Sequence, residues 1–256
     1  MSCLVLLAGV LSCACSVKED RTACPSECRL FFCGPSELTG KDLIFGVWGG
    51  RSVLHDSFIF GGSMQERTYY VPKSPLVLFG GNHHYDDSGQ YMIARGAQCD
   101  SLYSVSRGFL PSGEHCSDTL LLRKDFASVS LTLLKVEPAD LEGLKIRVVS
   151  NTCGYSILKA RPVEGRFEYY PRFDGECVAR FRLPRQADSS FAMEVLDANG
   201  GKLLARVDFG REIAGSWYSW SSPDLGDLEL GVALSFADAT VSVMPWEDAG
   251  YIDIKF

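Results

Sequence analysis

Residues 228–236 read Leu-Glu-Leu-Gly-Val-Ala-Leu-Ser-Phe. Leu228, Leu230, Val232, Leu234 and Phe236 share one face of an extended chain, and Glu229 and Ser235 fall on the other. Successive side chains of a strand point to opposite sides, so this alternation predicts a β-strand with one buried and one wet face. The pattern recurs upstream. Val129, Leu131 and Leu133 share a face within Ser128–Lys135, and Phe191, Met193 and Val195 alternate with Ala192 and Glu194. Leu203, Ala205, Val207 and Phe209 repeat it, and Ile252, Ile254 and Phe256 close the chain. Strands returning every 10–20 residues or so predict an all-β sandwich of antiparallel sheets. Ala198-Asn199-Gly200-Gly201 separates two such runs and predicts a hairpin loop. The helical signals, Pro138–Leu144 and Arg211–Trp217, make one or two turns each, too little for a helical layer.

The N-terminal half carries weaker strand signals at Arg29–Cys33, Leu43–Trp48, Ser52–Phe60, Arg67–Val71, Pro75–Phe79 and Gln90–Ala94. A polar stretch, Pro111–Asp118, separates the halves, and Leu120–Phe126 leads into the second set of strands. A boundary near Lys124 gives two domains, 27–124 and 125–256, each long enough for a seven-strand sandwich with its own core. No sequence repeat relates the two.

The chain opens differently. Leu4–Leu11 is an apolar run of secretory length, and small residues, Ser12 and Ala14, precede Cys13 and Cys15. Residues 1–14 thus form a lipoprotein signal peptide. They carry no Lys or Arg, which points to a start further upstream. A buried first strand is the competing reading, opposed by the charged run Lys18-Glu19-Asp20-Arg21 that follows at once. A cysteine after such a run is a lipid-attachment candidate, and two or more acyl chains make a stable membrane anchor. The local pattern favours Cys13, and Cys15 also qualifies. Residues 15–26 would then be a lipidated tether, with the covalent lipid in place of any cofactor.

The net charge of -7 argues against nucleic acid as a partner. Asn82-His83-His84-Tyr85-Asp86-Asp87 is the most site-like stretch. Adjacent histidines on a strand point to opposite faces and do not readily share a metal, so a solvated hairpin is the better reading. A His84–Asp87 hydrolase pair has no nucleophile to serve. Cys24, Cys28 and Cys33 lack a second pair at zinc-ribbon distance. Export permits disulfides, with Cys153–Cys177 and Cys99–Cys116 the first pairings to test, since each falls within one half. No phosphate loop, nucleophile elbow or zinc-protease motif occurs, so no catalytic set is expected. Trp217-Tyr218-Ser219-Trp220 is either packing or a glycan platform carried by Trp217 and Trp220.

Cys15-Ser16-Val17-Lys18-Glu19-Asp20-Arg21 followed by Cys24-Pro25 resembles the start of the FimB-type fimbrial anchor lipoproteins of the Bacteroidales, the fimbrillin-A associated anchor proteins. Phe126-Ala127-Ser128-Val129, Asp140-Leu141-Glu142-Gly143-Leu144, Leu183-Pro184-Arg185-Gln186, Trp217-Tyr218-Ser219-Trp220 and Trp246 are similar to that family too. Cys28 and Cys33 depart from its compact cysteine pair. The resemblance implies two tandem transthyretin-like β-sandwich domains and lipidation at Cys15. It implies attachment of a fimbrial shaft to the outer membrane, and a limit on fibre length. Lys18, Glu19 and Asp20 resemble the surface-export signal of lipoproteins in this phylum; a plain solvated tether is the alternative. Shaft subunits of the class are implied to lose a first strand to a protease cutting after basic residues, and to accept a strand from a neighbour. An anchor must keep that strand despite Arg21 and Arg29, and so contribute one. Tyr251-Ile252-Asp253-Ile254-Lys255-Phe256 is the candidate, with Tyr251, Ile252, Ile254 and Phe256 as shaft contacts; the alternative is that it closes its own domain.

Overall fold

The stretch at 228–236 is a strand, and Leu228, Leu230, Val232 and Leu234 are all buried. A computed structural model describes residues 24–237 and 240–243 of the chain. Cys13, Cys15, Lys18, Glu19, Asp20, Arg21, Trp246 and the segment 251–256 therefore lie outside the described residues. The first half forms β1 (Ser26–Cys33), β2 (Asp42–Trp48), β3 (Ser52–Ile59), β4 (Met64–Val71), β5 (Leu76–Gly81), β6 (Gln90–Met92), β7 (Tyr103–Phe109), β8 (His115–Leu121) and β9 (Arg123–Lys124). The second forms β10 (Phe126–Leu134), β11 (Leu144–Ser156), β12 (Arg161–Tyr169), β13 (Val178–Pro184), β14 (Ala192–Asp197), β15 (Leu203–Val207), α1 (Phe209–Ala214), β16 (Leu228–Ala237) and β17 (Thr240–Val243). No helix among the described residues is long and apolar enough to cross a membrane.

The sheets run β4-β1-β8 and β3-β2-β5-β7-β9 in the first half, and β13-β10-β16-β17 and β12-β11-β14-β15 in the second. One strand order is thus used twice: β10 to β16 retrace β1 to β8 once β6 is set aside. The repeat is invisible in the sequence because burial pattern and turns, not residue identities, specify it. Each half has its own apolar cluster. Phe32 centres the first, its ring set edge-on to Phe45 at 5.1 Å and Phe58 at 5.0 Å. Burying one such ring contributes about 1.5–3 kcal/mol. Val129, Leu131, Phe181, Phe191 and Leu230 anchor the second.

The sheets are mixed, which corrects the purely antiparallel expectation. β1 pairs antiparallel with β4 and parallel with β8, and β10 pairs antiparallel with β13 and parallel with β16. Parallel pairing brings the first and last main strands of each unit side by side, and alternation alone does not encode strand direction. Pro111–Asp118 is corrected as well. It is no spacer, since its His115–Asp118 portion belongs to β8, whose Ser117 and Asp118 alternate on an edge strand. The short helical signals resolve into a 3-10 turn at Pro138–Leu141 and α1, which takes Phe209 away from the β15 alternation.

The expected disulfides are not formed. Cys99, Cys153 and Cys177 are buried free thiols, and Cys116 bonds instead to Cys28. Cys28 and Cys116 are register partners on the parallel β1–β8 pair, with Cα atoms 4.8 Å apart. Cys24 and Cys33 are also free.

The wet face of the β12-β11-β14-β15 sheet is less wet than its alternation predicts. Glu168 and Glu194 are each only 7% exposed. Arg147 lies between them, donating to Glu194 at 2.8 Å and standing 3.8 Å from Glu168. Arg206 donates to Glu194 at 2.7 Å, and Arg166 to Glu168 at 2.6 Å. The arginine stems roof the carboxylates, so a charge ladder spans four strands.

Candidate functional site

The two halves are joined by main chain as well as by side chains. β6 leaves the first half and pairs with β11 of the second, Tyr91 opposite Tyr155 and Met92 opposite Gly154. Gly154 is required there, because a Cβ would lie 2.2 Å from the carbonyl oxygen of Tyr91. The same segment continues along the second half: Ile93 N–H donates to Cys153, Gly96 to Glu168 and Cys99 to Arg182. Tyr155 packs into the first apolar cluster, although it lies on β11.

Arg185 occupies the centre of this junction and is buried. Its Nε donates to Asp125 at 2.9 Å. One terminal nitrogen donates to the carbonyls of Trp220 and, at 2.7 Å, Ser222. The other donates to Lys124 at 3.3 Å and Pro223 at 3.1 Å. All five guanidinium N–H groups are thereby used, which only a planar, permanently charged fork achieves. Asp125 also accepts from the Ser104 hydroxyl. Burial pushes the Asp125 carboxyl above the usual carboxylate range and outweighs the opposing pull of the Ser104 hydroxyl and the Arg185 guanidinium. Three stretches distant in sequence thus meet: residue 125 at the start of the second half, the 183–186 motif and the 217–220 motif.

Beside this node lies an open cleft of about 1240 Å³ between the halves. Five basic side chains line it, Arg107, Arg123, Lys159, Arg161 and Arg185, against two carboxylates, Asp125 and Glu164. Trp220 was a glycan candidate in the sequence, and Arg185 and Gln186 stood in a quoted motif, but the basic residues around them come from β7, β9 and the β11–β12 turn, which only the fold brings together.

The stretches singled out in sequence fare differently. Trp217 is 66% exposed, whereas Trp220 is half-buried, with its ring edge-on to Tyr218 at 5.0 Å. His83 is half-buried, its ring 5.1 Å from Tyr91 and Nε2 3.3 Å from the Ser101 carbonyl. His84 and Asp87 are exposed. Asp86 caps its own turn, accepting from the Ser88 hydroxyl at 2.7 Å and from the Gln90 and Ser88 N–H groups at 2.9 Å, which holds its carboxyl below the usual range. Among the described residues no three His, Cys, Asp or Glu side chains gather to hold a metal ion.

The fold is all-β, with one strand order used twice and main-chain hydrogen bonds joining the two halves. Known structures of similar fold include the fimbrial anchor protein Mfa2 from Porphyromonas gingivalis. The chain is similar to it at a TM-score of 0.67 and 13% identity, over 86% of this chain and 96% of that one. It is also similar to a polysaccharide-binding candidate from Bacteroides thetaiotaomicron, at a TM-score of 0.61 and 9% identity over 86% and 99% of the two chains. An adhesin candidate from Bacteroides ovatus matches at a TM-score of 0.59 and 14% identity, over 86% and 93%. None of these three is described as an enzyme. No family's sequence profile matches the chain, and no curated protein matches it in sequence.

Proposed function

We propose that this protein is a surface lipoprotein that anchors a fimbrial shaft to the outer membrane and limits its length. The observation that carries the reading is the shared fold with an anchor protein along nearly the whole of both chains. On this reading Cys15 carries the lipid, Lys18, Glu19 and Asp20 direct surface export, and 27–124 and 125–256 are transthyretin-like domains. Strand addition joins the shaft, with 251–256 as the donated segment.

The state of β1 supports the reading. A shaft subunit that accepts a strand must open a groove, whereas β1 lies between two neighbours and is covalently tied to β8. Arg29 is exposed within β1. A cut after it leaves Cys28, and everything before it, attached to the fold through Cys116. The lipid would therefore stay connected.

Changing Cys15 to Ala is expected to abolish incorporation of labelled fatty acid. Retained label in that variant, lost instead on changing Cys13, places the anchor on the other cysteine. A glycan-binding surface lipoprotein is the second reading, favoured by the exposure of Trp217. Loss of glycan-array binding in a Trp217→Ala/Trp220→Ala variant would establish it.

A further inference from the structure

We propose that the cleft between the halves binds an acidic saccharide, with Arg123, Lys159 and Arg161 meeting its carboxylates and Ser156 and Gln186 its hydroxyls. The site goes beyond shaft attachment and does not depend on it. Three observations carry it.

The first is charge. Arg185 is satisfied by Asp125, and Arg107 pairs with Asp118 at 3.0 Å. Arg123, Lys159 and Arg161 are exposed and have no ion pair or side-chain hydrogen bond among the described residues. Glu164 is the single carboxylate of the lining left to oppose them. In a chain of net charge -7 this concentrates positive potential in a concave place, where low-dielectric walls strengthen it.

The second is unmet hydrogen bonding. Ser156 and Gln186 both line the cleft and are each 3% exposed. The Ser156 hydroxyl and the Gln186 carbonyl oxygen have no partner, although Gln186 Nε2 donates to Pro184 at 2.6 Å. Buried polar atoms are normally paired, so these two unpaired groups backing one lining are ones a ligand would satisfy once each side chain turns from its covered position toward the cleft. A carboxylate does not satisfy an amide oxygen, which needs a donor such as a sugar hydroxyl.

The third is the character of the walls. Ser106, Ser219, Ser221 and Ser222 supply hydroxyls, and half-buried Trp220 supplies an aromatic surface. An added peptide strand needs apolar pockets for alternate side chains. Val105, Leu121, Pro162, Val163 and Pro223 are interleaved in this lining with five basic side chains and several serines, so it offers polar contacts beside its apolar ones.

The test is calorimetric titration of the folded protein with trigalacturonic acid at low salt, beside neutral maltotriose and an Asp/Glu-rich decapeptide. The proposal expects saturable binding of trigalacturonic acid alone. Arg123→Ala/Arg161→Ala should weaken it by roughly tenfold or more, because two charge-assisted contacts are lost. Lys159→Ala, on a turn, should weaken it less, and both variants should melt as the wild type does. Absence of saturable binding, unchanged affinity in the double variant, or binding of the decapeptide in place of the saccharide would overturn it.

Discussion

Arg185 stood in a quoted motif of the sequence, yet nothing about its neighbours revealed its task. Its five acceptors lie at residues 124, 125, 220, 222 and 223, remote from it in the chain. Only the fold assembles them. Lysine keeps the charge but not the fork, so Arg185→Lys should lower unfolding free energy by about 2–3 kcal/mol in denaturant titration. An unchanged midpoint would remove Arg185 as the organiser of the junction. Glu168 gives a second residue-scale prediction. Burial pushes its carboxyl up, but the Tyr170 hydroxyl, Arg166 and Arg147 outweigh that and hold it below its usual value. A depressed folded-state value means that its stabilisation is present above the unfolded glutamate value, near 4.3, and fades as pH falls through the folded one. Melting temperature should therefore drop on acidification through that window, and less steeply in Glu168→Gln. Equal slopes in the two proteins would show that the charge ladder contributes no pH dependence.

Several strands were legible from one apolar face. The Leu228–Phe236 and Ser128–Lys135 runs fall on β16 and β10. What alternation did not carry was direction and pairing. The parallel β1–β8 contact, and with it the Cys28–Cys116 bond, requires knowing which strands are neighbours across a separation of 88 residues. Confining pairs to one half does not separate Cys28 from Cys99 as the partner of Cys116, since both lie in the first half; Cys99 is buried and donates its N–H to the Arg182 carbonyl. The bond fixes the first strand, β1, to β8, the last main strand of its unit. Closing so long a loop restricts the unfolded chain, so Cys28→Ser or Cys116→Ser should cost about 2–5 kcal/mol. Denaturant titration of wild type with and without reductant, beside each variant, measures this. A wild type indifferent to reductant would show that the bond does not stabilise the unit.

At the scale of the whole molecule, two units of one topology share a continuous seam of main-chain hydrogen bonds at β6–β11 and a polar clasp at Arg185. On the proposed reading, this seam is what would carry load between the lipid and the fibre. The sequence showed the β class and the absence of known catalytic motifs. It did not show the seam, because Gln90–Met92 reads like any short strand of its own half. The central claim is that this body holds fibres to the cell. It is tested most directly by measuring how much fimbrial shaft protein sediments with cells and how much is free in the medium, with and without this chain. The account predicts that cells lacking the chain, or carrying Cys15→Ala, shed their fibres into the medium, and that the wild-type chain restores attachment. Fibres that remain on cells lacking the chain, in wild-type number and length, would contradict it.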